Sequence, residues 1–477
     1  MEIRYGKLFS PILILLLLAS FVVIFIALPS NLTRFIVNLK PTFSISLQNL
    51  RTKVSGEDDI LLAVEHAGDH SNSTLKSEVR KVIKSKEEKR EEELARARDS
   101  MRKAALGDRR RNLTPSSTSR DGDYFSAEAV YHNPRLFYQS YLEMEKIFKV
   151  YVYPDGDLPI VHDGPCKDIY AIEGRFLHEI EYGVGKLRTN DPNAAHVYFL
   201  PFSVTWMVKY FYTQPSYDLT PLKQFVSDYV NVISMRHPFW NRTHGADHFM
   251  LACHDWGPFA AEGNRFLYNT SIRVLCNANT SEGFNPLKDV SLPEIYLYGG
   301  EVSPKLLTPP PDTAPRRYLA FFSGGLHGPI RPILLEHWKN KDSDIAVYEY
   351  LTKGMDYYSF MLNSKYCLCP SGHEVASPRI VESIYAECVP VILSNFYVLP
   401  FSDVLRWEAF SVQVDVSDIP RLKEILSGIP ESKYRKLKNG VRAVRKHFTL
   451  NQPAKRFDVF HMILHSIWLR RLNLKFG

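Results

Sequence analysis

Residues Cys369–Ile392, CPSGHEVASPRIVESIYAECVPVI, connect two apolar segments through a helix that begins with Ser-Pro-Arg. Ser377 is a favoured N-cap residue, and a proline suits the first helical position, where its missing N–H costs nothing. The free N–H groups and the dipole at such a helix start favour an anion. Arg379 in the first turn is disfavoured by the dipole unless an anion lies in front of it. The stretch therefore predicts an anion site.

Glu382 lies three residues after Arg379, on the same face of the predicted helix. Two interpretations stay open at this point. Glu382 either accepts hydroxyl groups of a bound ligand or forms an ordinary i,i+3 ion pair with Arg379 on a core helix. A second glycine-rich turn, Gly324-Gly325-x-x-Gly328, precedes another helix and is followed by Arg331. Two phosphate-compatible turns in one half of the chain are stronger evidence for phosphate than either turn alone.

Short apolar strands alternate with helix-length segments from about residue 124 onward. The predicted strands include Phe148–Tyr153, His196–Leu200, Phe249–Cys253, Tyr318–Phe322 and Val389–Leu393, and the predicted helices include Pro221–Met235 and segments from Pro329, Ser377, Ile419 and Gln452. Uninterrupted apolar strands are typical of buried parallel sheets. The proline-rich segment Thr308–Pro315 separates two such series. The sequence thus predicts an α/β fold with two doubly wound, Rossmann-like domains, residues 124–310 and 311–477, facing a cleft.

The N-terminal region predicts a membrane anchor and a stem. Residues 8–28 are uncharged and apolar over roughly the 20 residues needed to cross a bilayer. A cleaved signal peptide is the alternative, but its apolar region is normally shorter. We expect residues 1–7 to be a cytosolic tail, 8–28 a transmembrane signal anchor and 29–123 a lumenal stem. The stem contains a charged segment ending at Gly107, which lacks a coiled-coil seam and predicts a solvated single helix.

The net charge of +7 does not indicate nucleic acid, because residues 77–111 carry 13 Lys and Arg against 8 Asp and Glu. Six cysteines suit an oxidising compartment. A Cys253–Cys276 bridge is one expectation, and buried free thiols are the other. Cys367-x-Cys369 lacks the partner pair that a zinc site needs. Glycosylation sequons favour a lumenal body; the predicted acceptors are Asn72, Asn112, Asn241, Asn269 and Asn279, whereas Asn31 lies too near the anchor.

The run from Lys365 to Val414 resembles the C-terminal half of the exostosin-like glycosyltransferases, especially their plant cell-wall branch. Further matching stretches are FKVYVY at Phe148–Tyr153, DHFMLACHDWGP at Asp247–Pro258, NPLKDVSLPE at Asn285–Glu294 and RRYLAFFSGGLHGPIR at Arg316–Arg331. The resemblance covers about Phe148–Leu472 in the expected order. It implies a GT-B fold, a type II Golgi membrane protein and inverting transfer of a sugar from a nucleotide donor.

Such a reaction must stabilise the charge of the departing nucleoside diphosphate, and a GT-B site does so with helix ends and basic side chains. The predicted donor site consists of Gly324, Gly325, Arg331, Ser371, Gly372, Glu374, Ser377, Arg379 and Glu382. The Asp-x-Asp pairs Asp121/Asp123, Asp155/Asp157 and Asp342/Asp344 are predicted to be turns, so no metal cofactor is expected. Glu374 and Glu382 have the E-x7-E spacing of retaining enzymes, which departs from the inverting pattern of the family.

The reaction also needs a base that takes the proton of the acceptor hydroxyl. His254 and Asp255 follow a predicted strand of the first domain, at the end where open α/β sheets bind ligands. They are the candidate catalytic residues, with Trp256 as a platform for a sugar ring. The alternative is a strand-end turn in which both side chains bond local backbone. Asp247 and His248 precede the same strand, at its opposite end, and are predicted to be structural.

The predicted protein is a Golgi glycosyltransferase, anchored by one transmembrane segment, with its catalytic body in the lumen. The first domain is expected on the acceptor side and the second on the side of a nucleotide sugar, with UDP as the expected nucleotide. The acceptor is expected to be a cell-wall polysaccharide or another glycan, and a second glycosyltransferase is a candidate partner. Two alternatives are a non-catalytic carbohydrate-binding or complex-organising protein on the same scaffold, and a membrane-tethered adaptor that works through its stem.

Overall fold

Two parallel β-sheets organise the part of the chain described by the computed structural model, which comprises residues 73–107, 129–183, 185–311 and 313–474. The first sheet contains β1 Val150–Val152, β2 Arg188–Thr189, β3 Val197–Phe199, β4 His248–Ala252, β5 Ile272–Leu275 and β6 Val290–Ser291. The second contains β7 Tyr318–Ser323, β8 Ile345–Tyr348, β9 Ser364–Pro370, β10 Val389–Leu393 and β11 Val412–Gln413. The predicted α/β architecture with parallel sheets is confirmed.

The two sheets are wound in the same way. Their strand orders are β2-β1-β3-β4-β5-β6 and β11-β10-β9-β7-β8, and every pair is parallel. In each sheet the first strand lies between the second and the third, so the direction of winding reverses beside it. Ligands of open α/β sheets bind at such a reversal, outside the carboxyl ends of the strands. In the second sheet this point lies between the ends of β7 and β9.

Helices connect and cover the strands. They are α1 Ser73–Gly107, α2 Pro134–Ile147, α3 Ala171–Tyr182, α4 Val204–Phe211, α5 Thr220–Arg236, α6 Pro238–Thr243, α7 Gly257–Ala261, α8 Arg265–Asn269, α9 Pro304–Leu307, α10 Ile330–Trp338, α11 Tyr357–Leu362, α12 Pro378–Tyr385, α13 Leu422–Ser427, α14 Glu431–Phe448 and α15 Val459–Asn473. Short 3-10 helices occupy Pro192–Ala194, Thr280–Glu282, Trp407–Ala409 and Val416–Arg421.

The C-terminal helix α15 packs on the first half of the fold. Trp468 is fully buried, and its ring centre lies 5.4 Å from that of Phe148. Arg470 donates from Nε to the carbonyl oxygen of Asp289 at 3.0 Å. Arg471 donates in the same way to the carbonyl oxygen of His196 at 2.8 Å. The last helix therefore returns to the first sheet and ties the two halves together.

The prediction of a solvated stem helix is wrong for the second half of α1. Leu94 is 0% exposed and Ala97 is 1% exposed. Arg98 donates from Nε to the carbonyl oxygen of Leu472 at 2.6 Å, and Glu91 pairs with Arg471. Residues from Val82 onward belong to the same compact unit as both sheets. Because this part of α1 buries apolar side chains, it belongs to the globular body and not to a spacer.

The cysteine and membrane predictions have different outcomes. The predicted Cys253–Cys276 disulfide is confirmed, and a second one joins Cys367 to Cys388. Cys166 and Cys369 are free thiols. The predicted transmembrane segment at 8–28 lies outside the described residues, and the helices that are described include none long and apolar enough to cross a bilayer.

Three of the predicted glycan acceptors fall within the described residues, and they differ in exposure. Asn241 and Asn269 are exposed. Asn279 is 8% exposed, and its side-chain oxygen accepts from the backbone N–H of Ser281 at 3.0 Å. A buried amide has no room for a glycan in the folded protein, so the structure argues against Asn279. Asn72 and Asn112 lie outside the described residues.

Candidate functional site

A cavity of about 470 Å³ opens between the two halves, beside the winding reversal of the second sheet. Side chains from both halves line it: Ile169, Tyr170, Asp255, Glu294 and Tyr296 from the first, and His327, Arg331, Tyr357, Tyr358, Gly372, His373, Glu374, Ala376, Pro378, Arg379 and Glu382 from the second. The position is the one that the topology predicts for a ligand. The lining combines two arginines with four carboxyl groups.

The turn between β7 and α10 brings Arg331 close to the loop that precedes α12. Gly328 has a positive φ of +67°, and a Cβ there would lie 1.8 Å from the carbonyl oxygen of Gly372. A Cβ on Gly372 would lie 3.0 Å from Nη2 of Arg331. Glycine is therefore required at Gly328, both by its backbone conformation and by the close approach of the two loops.

Arg331 and Arg379 are cations without a carboxylate partner within 4 Å among the described residues. Arg331 is 8% exposed and donates from Nη1 to the carbonyl oxygen of Gly325 at a long 3.4 Å. Arg379 donates from Nη2 to the carbonyl oxygen of Ser323 at 2.9 Å and lies over the ring of Phe322. The Nε of each arginine is buried without an acceptor. Burial, and then the charge of Arg379, lower the pKa of Arg331 to about 10.

Glu382 does not form the ion pair with Arg379 that was one of its two predicted roles. Its Oε2 accepts the hydroxyl of Tyr357 at 3.1 Å, and Tyr358 is a second hydroxyl partner. Burial raises the pKa of this carboxyl, and the nearby charge of Arg379 opposes the shift. Arg379 is consequently left without a counter-charge from its own helix.

Glu294 and Glu374 form a carboxyl pair across the two halves. Glu294 follows β6, Glu374 lies in the loop after β9, and the exposed fractions of the two residues are 3% and 7%. Burial, and then the charges of Glu294 and Asp255, raise the pKa of Glu374 well above its usual range. Burial also raises the pKa of Glu294, to about 7, and the hydrogen bond between the two carboxyls adds to the rise in the pKa of Glu374.

Asp255 lies at the same end of the cavity as this carboxyl pair. It follows β4, and its Oδ1 accepts the hydroxyl of Tyr170 at 2.5 Å. Tyr170 has a left-handed backbone, with φ 66°, at the start of α3. Both residues belong to the first half, so this hydrogen bond fixes the Asp255 carboxyl on one wall of the cleft. Asp255 is therefore a positioned carboxyl within reach of a ligand in the cavity.

His254 does not line the cavity. Its Nδ1 accepts the backbone N–H of Trp256 at 3.1 Å, and its ring packs between those of Tyr170 and Trp256. Burial lowers the pKa of His254 to about 4. These contacts match the local-turn alternative for His254. As predicted, Asp247 and His248 are structural: their side chains bond each other at 2.8 Å in the core.

Five of the nine predicted donor-site residues line the cavity, namely Arg331, Gly372, Glu374, Arg379 and Glu382. The other four are not among the lining residues. A Cβ on Gly324 would clash with Arg379, and a Cβ on Gly325 would clash with Tyr350. The backbone N–H of Ser371 donates to the carbonyl oxygen of Leu393, and Oγ of Ser377 accepts a hydrogen bond from Arg379 at 3.5 Å but does not cap α12.

The sequence did not predict four residues of the cavity lining: Tyr170, Glu294, Tyr357 and Tyr358. Glu294 follows β6, a strand of two residues that is too short to give a periodic pattern. In the sequence, the one local signal for Glu294 was its position directly after Leu292-Pro293. Tyr357 and Tyr358 come from a six-residue helix that the sequence pattern did not resolve.

The Asp-x-Asp pairs in the described residues have structural partners. Asp342 accepts the backbone N–H of Asp344 at 2.8 Å, which is the predicted turn. Asp155 binds Arg236 at 2.9 Å and His237 at 2.6 Å. No cluster of three or more His, Cys, Asp or Glu suited to a metal occurs in the described ranges. Asp121 and Asp123 lie outside them.

The fold consists of two parallel-sheet α/β halves, and two arginines and four carboxyl groups line the cavity between them. The chain belongs to the exostosin GT47 family: the model described as "Exostosin GT47 domain" matches residues 144–429. It is accordingly a glycosyltransferase, as the sequence predicted.

Named relatives are similar over most of the chain. A probable glycosyltransferase of Arabidopsis thaliana is 58% identical over 436 residues, which cover 90% of this chain and 88% of that protein. A probable glucuronosyltransferase of Oryza sativa subsp. japonica is 31% identical, over 67% of this chain and 77% of its own. A probable beta-1,4-xylosyltransferase of Arabidopsis thaliana is 29% identical, over 67% and 81% respectively.

Proposed function

We propose that the protein transfers a sugar, with inversion, from a UDP-linked donor to a hydroxyl group of a glycan, on a GT-B scaffold and without a metal. The observation that carries this proposal is the pair of arginines in the cavity. Arg331 and Arg379 are close enough to repel each other, and each has a buried N–H without an acceptor. A buried cation without a counter-charge is costly. A bound diphosphate supplies charge-assisted hydrogen bonds to both.

The departure of UDP determines what the arginines and Asp255 have to do in the reaction. As the bond between the sugar and the β-phosphate breaks, negative charge grows on the departing UDP, and the two guanidinium groups stabilise it. Asp255 takes the proton from the acceptor hydroxyl, whose oxygen attacks the anomeric carbon from the opposite face. A single displacement with one base inverts the configuration. Asp255 is retained as the base because it lines the cavity, whereas His254 does not.

The test of this proposal is UDP binding to Arg379→Ala, measured by calorimetry. We expect affinity to fall at least about 100-fold, because charge-assisted hydrogen bonds to a diphosphate are lost. The matched control is Arg421→Ala, which removes an exposed arginine paired only with Asp418 and Glu424. Unchanged UDP affinity in folded Arg379→Ala would overturn the proposal.

A double variant sharpens this test. If Arg331 and Arg379 hold one diphosphate, the loss in Arg331→Ala/Arg379→Ala should be clearly smaller than the sum of the two single losses. Additive losses would mean that the two arginines contribute independently to the binding of UDP. Thermal unfolding of each variant checks that the fold survives.

The cellular setting belongs to the same proposal. We infer a type II Golgi membrane protein with residues 8–28 as its anchor, and two disulfides in the body support an oxidising lumen. We propose a cell-wall polysaccharide or a related glycan as acceptor; the names of two plant relatives describe a glucuronosyltransferase and a beta-1,4-xylosyltransferase. They also name two donor classes, an acidic sugar and a neutral one. A second glycosyltransferase as partner remains a proposal as well.

A further inference from the structure

We propose that the acceptor is a glycan chain of several sugars, and that the first half of the fold binds this chain over the rings of Tyr212, Tyr217 and Trp256. We call these three rings the acceptor surface. The inference rests on the proposed function, since it concerns the chain that carries the attacking hydroxyl group.

A row of aromatic rings leads away from the cavity. Tyr170 lines the cavity, where its hydroxyl donates to Asp255. The ring centre of Tyr170 lies 5.0 Å from that of His254, which in turn lies 5.3 Å from that of Trp256. The ring centre of Tyr212 lies 4.7 Å from that of Trp256. These contacts connect the cavity to rings outside its lining.

The topology places the acceptor surface at the edge of the first sheet where the strands end. Trp256 comes shortly after the end of β4. Helix α5 leads from the loop 212–219 back toward the start of β4, so this loop lies near the carboxyl edge of the sheet. The contact between Tyr212 and Trp256 agrees with that position. The loop therefore lies at the same edge as Asp255.

The outer part of the acceptor surface is open to solvent. Tyr217 is 82% exposed, and its backbone N–H donates to the hydroxyl of Tyr212 at 3.0 Å. Tyr212 and Trp256 are half-buried. The same loop also exposes the polar side chains of Thr213, Gln214 and Ser216. Aromatic rings and hydrogen-bonding groups are thus presented side by side.

This combination suits a sugar chain. A sugar ring has C–H groups on its faces and hydroxyl groups around its rim. Aromatic rings cover the C–H groups, while neighbouring polar side chains bond the hydroxyls. Trp and Tyr offer such contact area at a low entropic cost, because they have few rotatable bonds. Trp256 is also held in place by the rings of His254 and Tyr212 on either side of it in the row.

The connection to the cavity identifies the occupant as the acceptor. In the proposed reaction the acceptor hydroxyl lies at Asp255, and Trp256 is the next residue of the chain. The nucleotide lies at Arg331 and Arg379 on the second half, so the remaining sugars of the acceptor extend over the first half. A second copy of this chain is the other candidate occupant, and the experiment distinguishes the two.

The experiment is a calorimetric titration of the full-length protein, saturated with UDP, with cell-wall oligosaccharides. The panel consists of hexasaccharides of β-1,4-xylan, β-1,4-glucan, β-1,4-galactan and α-1,4-galacturonan, each compared with the disaccharide of the same linkage. We expect at least one hexasaccharide to bind at least about tenfold more tightly than its disaccharide, because the added sugars reach the outer rings.

Three variants locate the site. Trp256→Ala should weaken binding of the best hexasaccharide at least about tenfold, and Tyr217→Ala at least about threefold. Tyr217→Ala should also narrow the ratio between hexasaccharide and disaccharide, since Tyr217 lies beyond Tyr212 in the row. Tyr182→Ala removes a tyrosine that is 66% exposed at the end of α3, and should change neither value. UDP affinity should stay the same in all three.

Two further measurements keep the test decisive. Thermal unfolding shows whether each variant folds, and Tyr217→Ala decides alone if Trp256→Ala does not, because an 82% exposed side chain contributes little to stability. Sedimentation compares the self-association of wild type and Tyr217→Ala, which we expect to be the same. A dimer that Tyr217→Ala dissociates would assign these rings to a second copy of the chain and overturn the inference.

The titrations separate this inference from the proposed function. Weaker hexasaccharide binding in both folded variants, at unchanged UDP affinity, supports the inference. Unchanged hexasaccharide binding, or UDP binding without binding of any glycan of the panel, overturns it and leaves the proposed function standing. An effect of Trp256→Ala without one of Tyr217→Ala overturns the extended surface. No binding of UDP overturns the proposed function and with it the acceptor role.

Discussion

At the scale of single residues, the cleft contains two arginines whose buried N–H groups have no hydrogen-bond acceptor among the described residues. Arg331 and Arg379 have buried N–H groups without acceptors, and Glu382, the one carboxylate near Arg379 in its own helix, bonds tyrosines instead. By contrast, the buried Arg273 forms an ion pair with Asp289. A native protein keeps unpaired cations where a ligand completes them.

Asp255 gives the first prediction at this scale. Asp255→Asn should lower kcat by about 10²–10⁴-fold and leave the donor KM nearly unchanged, because general-base catalysis is lost while the phosphate contacts remain. Steady-state kinetics with a UDP-sugar measure both constants. His254→Gln is the control and should cost less than about tenfold. An equal loss in both variants would restore His254 as the base.

The carboxyl pair gives a prediction about pH. The pKa of Glu374 is raised above its ordinary value of 4.5, so the folded protein holds this proton more tightly than the unfolded chain. Its contribution to stability is complete below about pH 4.5 and is lost as the pH rises toward the folded-state pKa. Glu374→Gln should therefore flatten the fall in the free energy of unfolding as the pH rises above 4.5.

Urea unfolding at a series of pH values measures that slope. Glu408→Gln, at an exposed site, should keep the wild-type slope. A wild-type stability that does not fall in this range, or a variant that falls just as steeply, would show that Glu374 is ionised in the folded protein.

Single residues were predictable where the signal is local. Arg331 and Arg379 follow glycine-rich or Ser-Pro turns, so a few neighbouring residues identify them. Glu294 was not predictable, because its partner Glu374 is 80 positions away in the sequence and only the fold brings them together. His254 was predicted to be catalytic because it follows β4. In the structure its ring packs against Trp256, and this orientation depends on tertiary packing that the local sequence does not show.

At the scale of elements, helix α1 has a buried face that its few apolar residues did not predict. Leu94 and Ala97 are nearly fully buried, but charged residues surround them in sequence and the pattern predicted a solvated helix. Two apolar residues and several long side chains, such as Arg98, suffice for docking because the body supplies the rest of the apolar surface. Among the strands that the sequence did not predict, β2, β6 and β11 have two residues each, and β5 and β8 have four.

Two leucines of α1 provide a matched test. Leu94→Ala should lower the free energy of unfolding by about 2–4 kcal/mol, since it leaves a cavity at a fully buried site. Leu106→Ala changes the same residue type at a site that is 54% exposed, and should have an effect within about 0.5 kcal/mol. Chemical denaturation of the soluble body measures both. Equal effects would mean that α1 does not dock.

At the scale of the whole molecule, the two halves share one winding and one cleft, and α15 joins them by packing on the first sheet. Strand–helix alternation on either side of the proline-rich segment was enough to predict two parallel α/β halves. It could not predict that α15 would cross back, because Trp468 and its apolar neighbours fit either sheet equally well by pattern. The pair of Glu294 and Glu374 also exists only when both halves are assembled.

The most direct measurement is a crystal structure of the body, residues 73–477, with UDP bound. We expect the diphosphate at the winding reversal between β7 and β9, with its oxygens within hydrogen-bond distance of the guanidinium groups of both Arg331 and Arg379. A UDP bound elsewhere, or both arginines paired with the protein's own carboxylates while UDP is present, would contradict it.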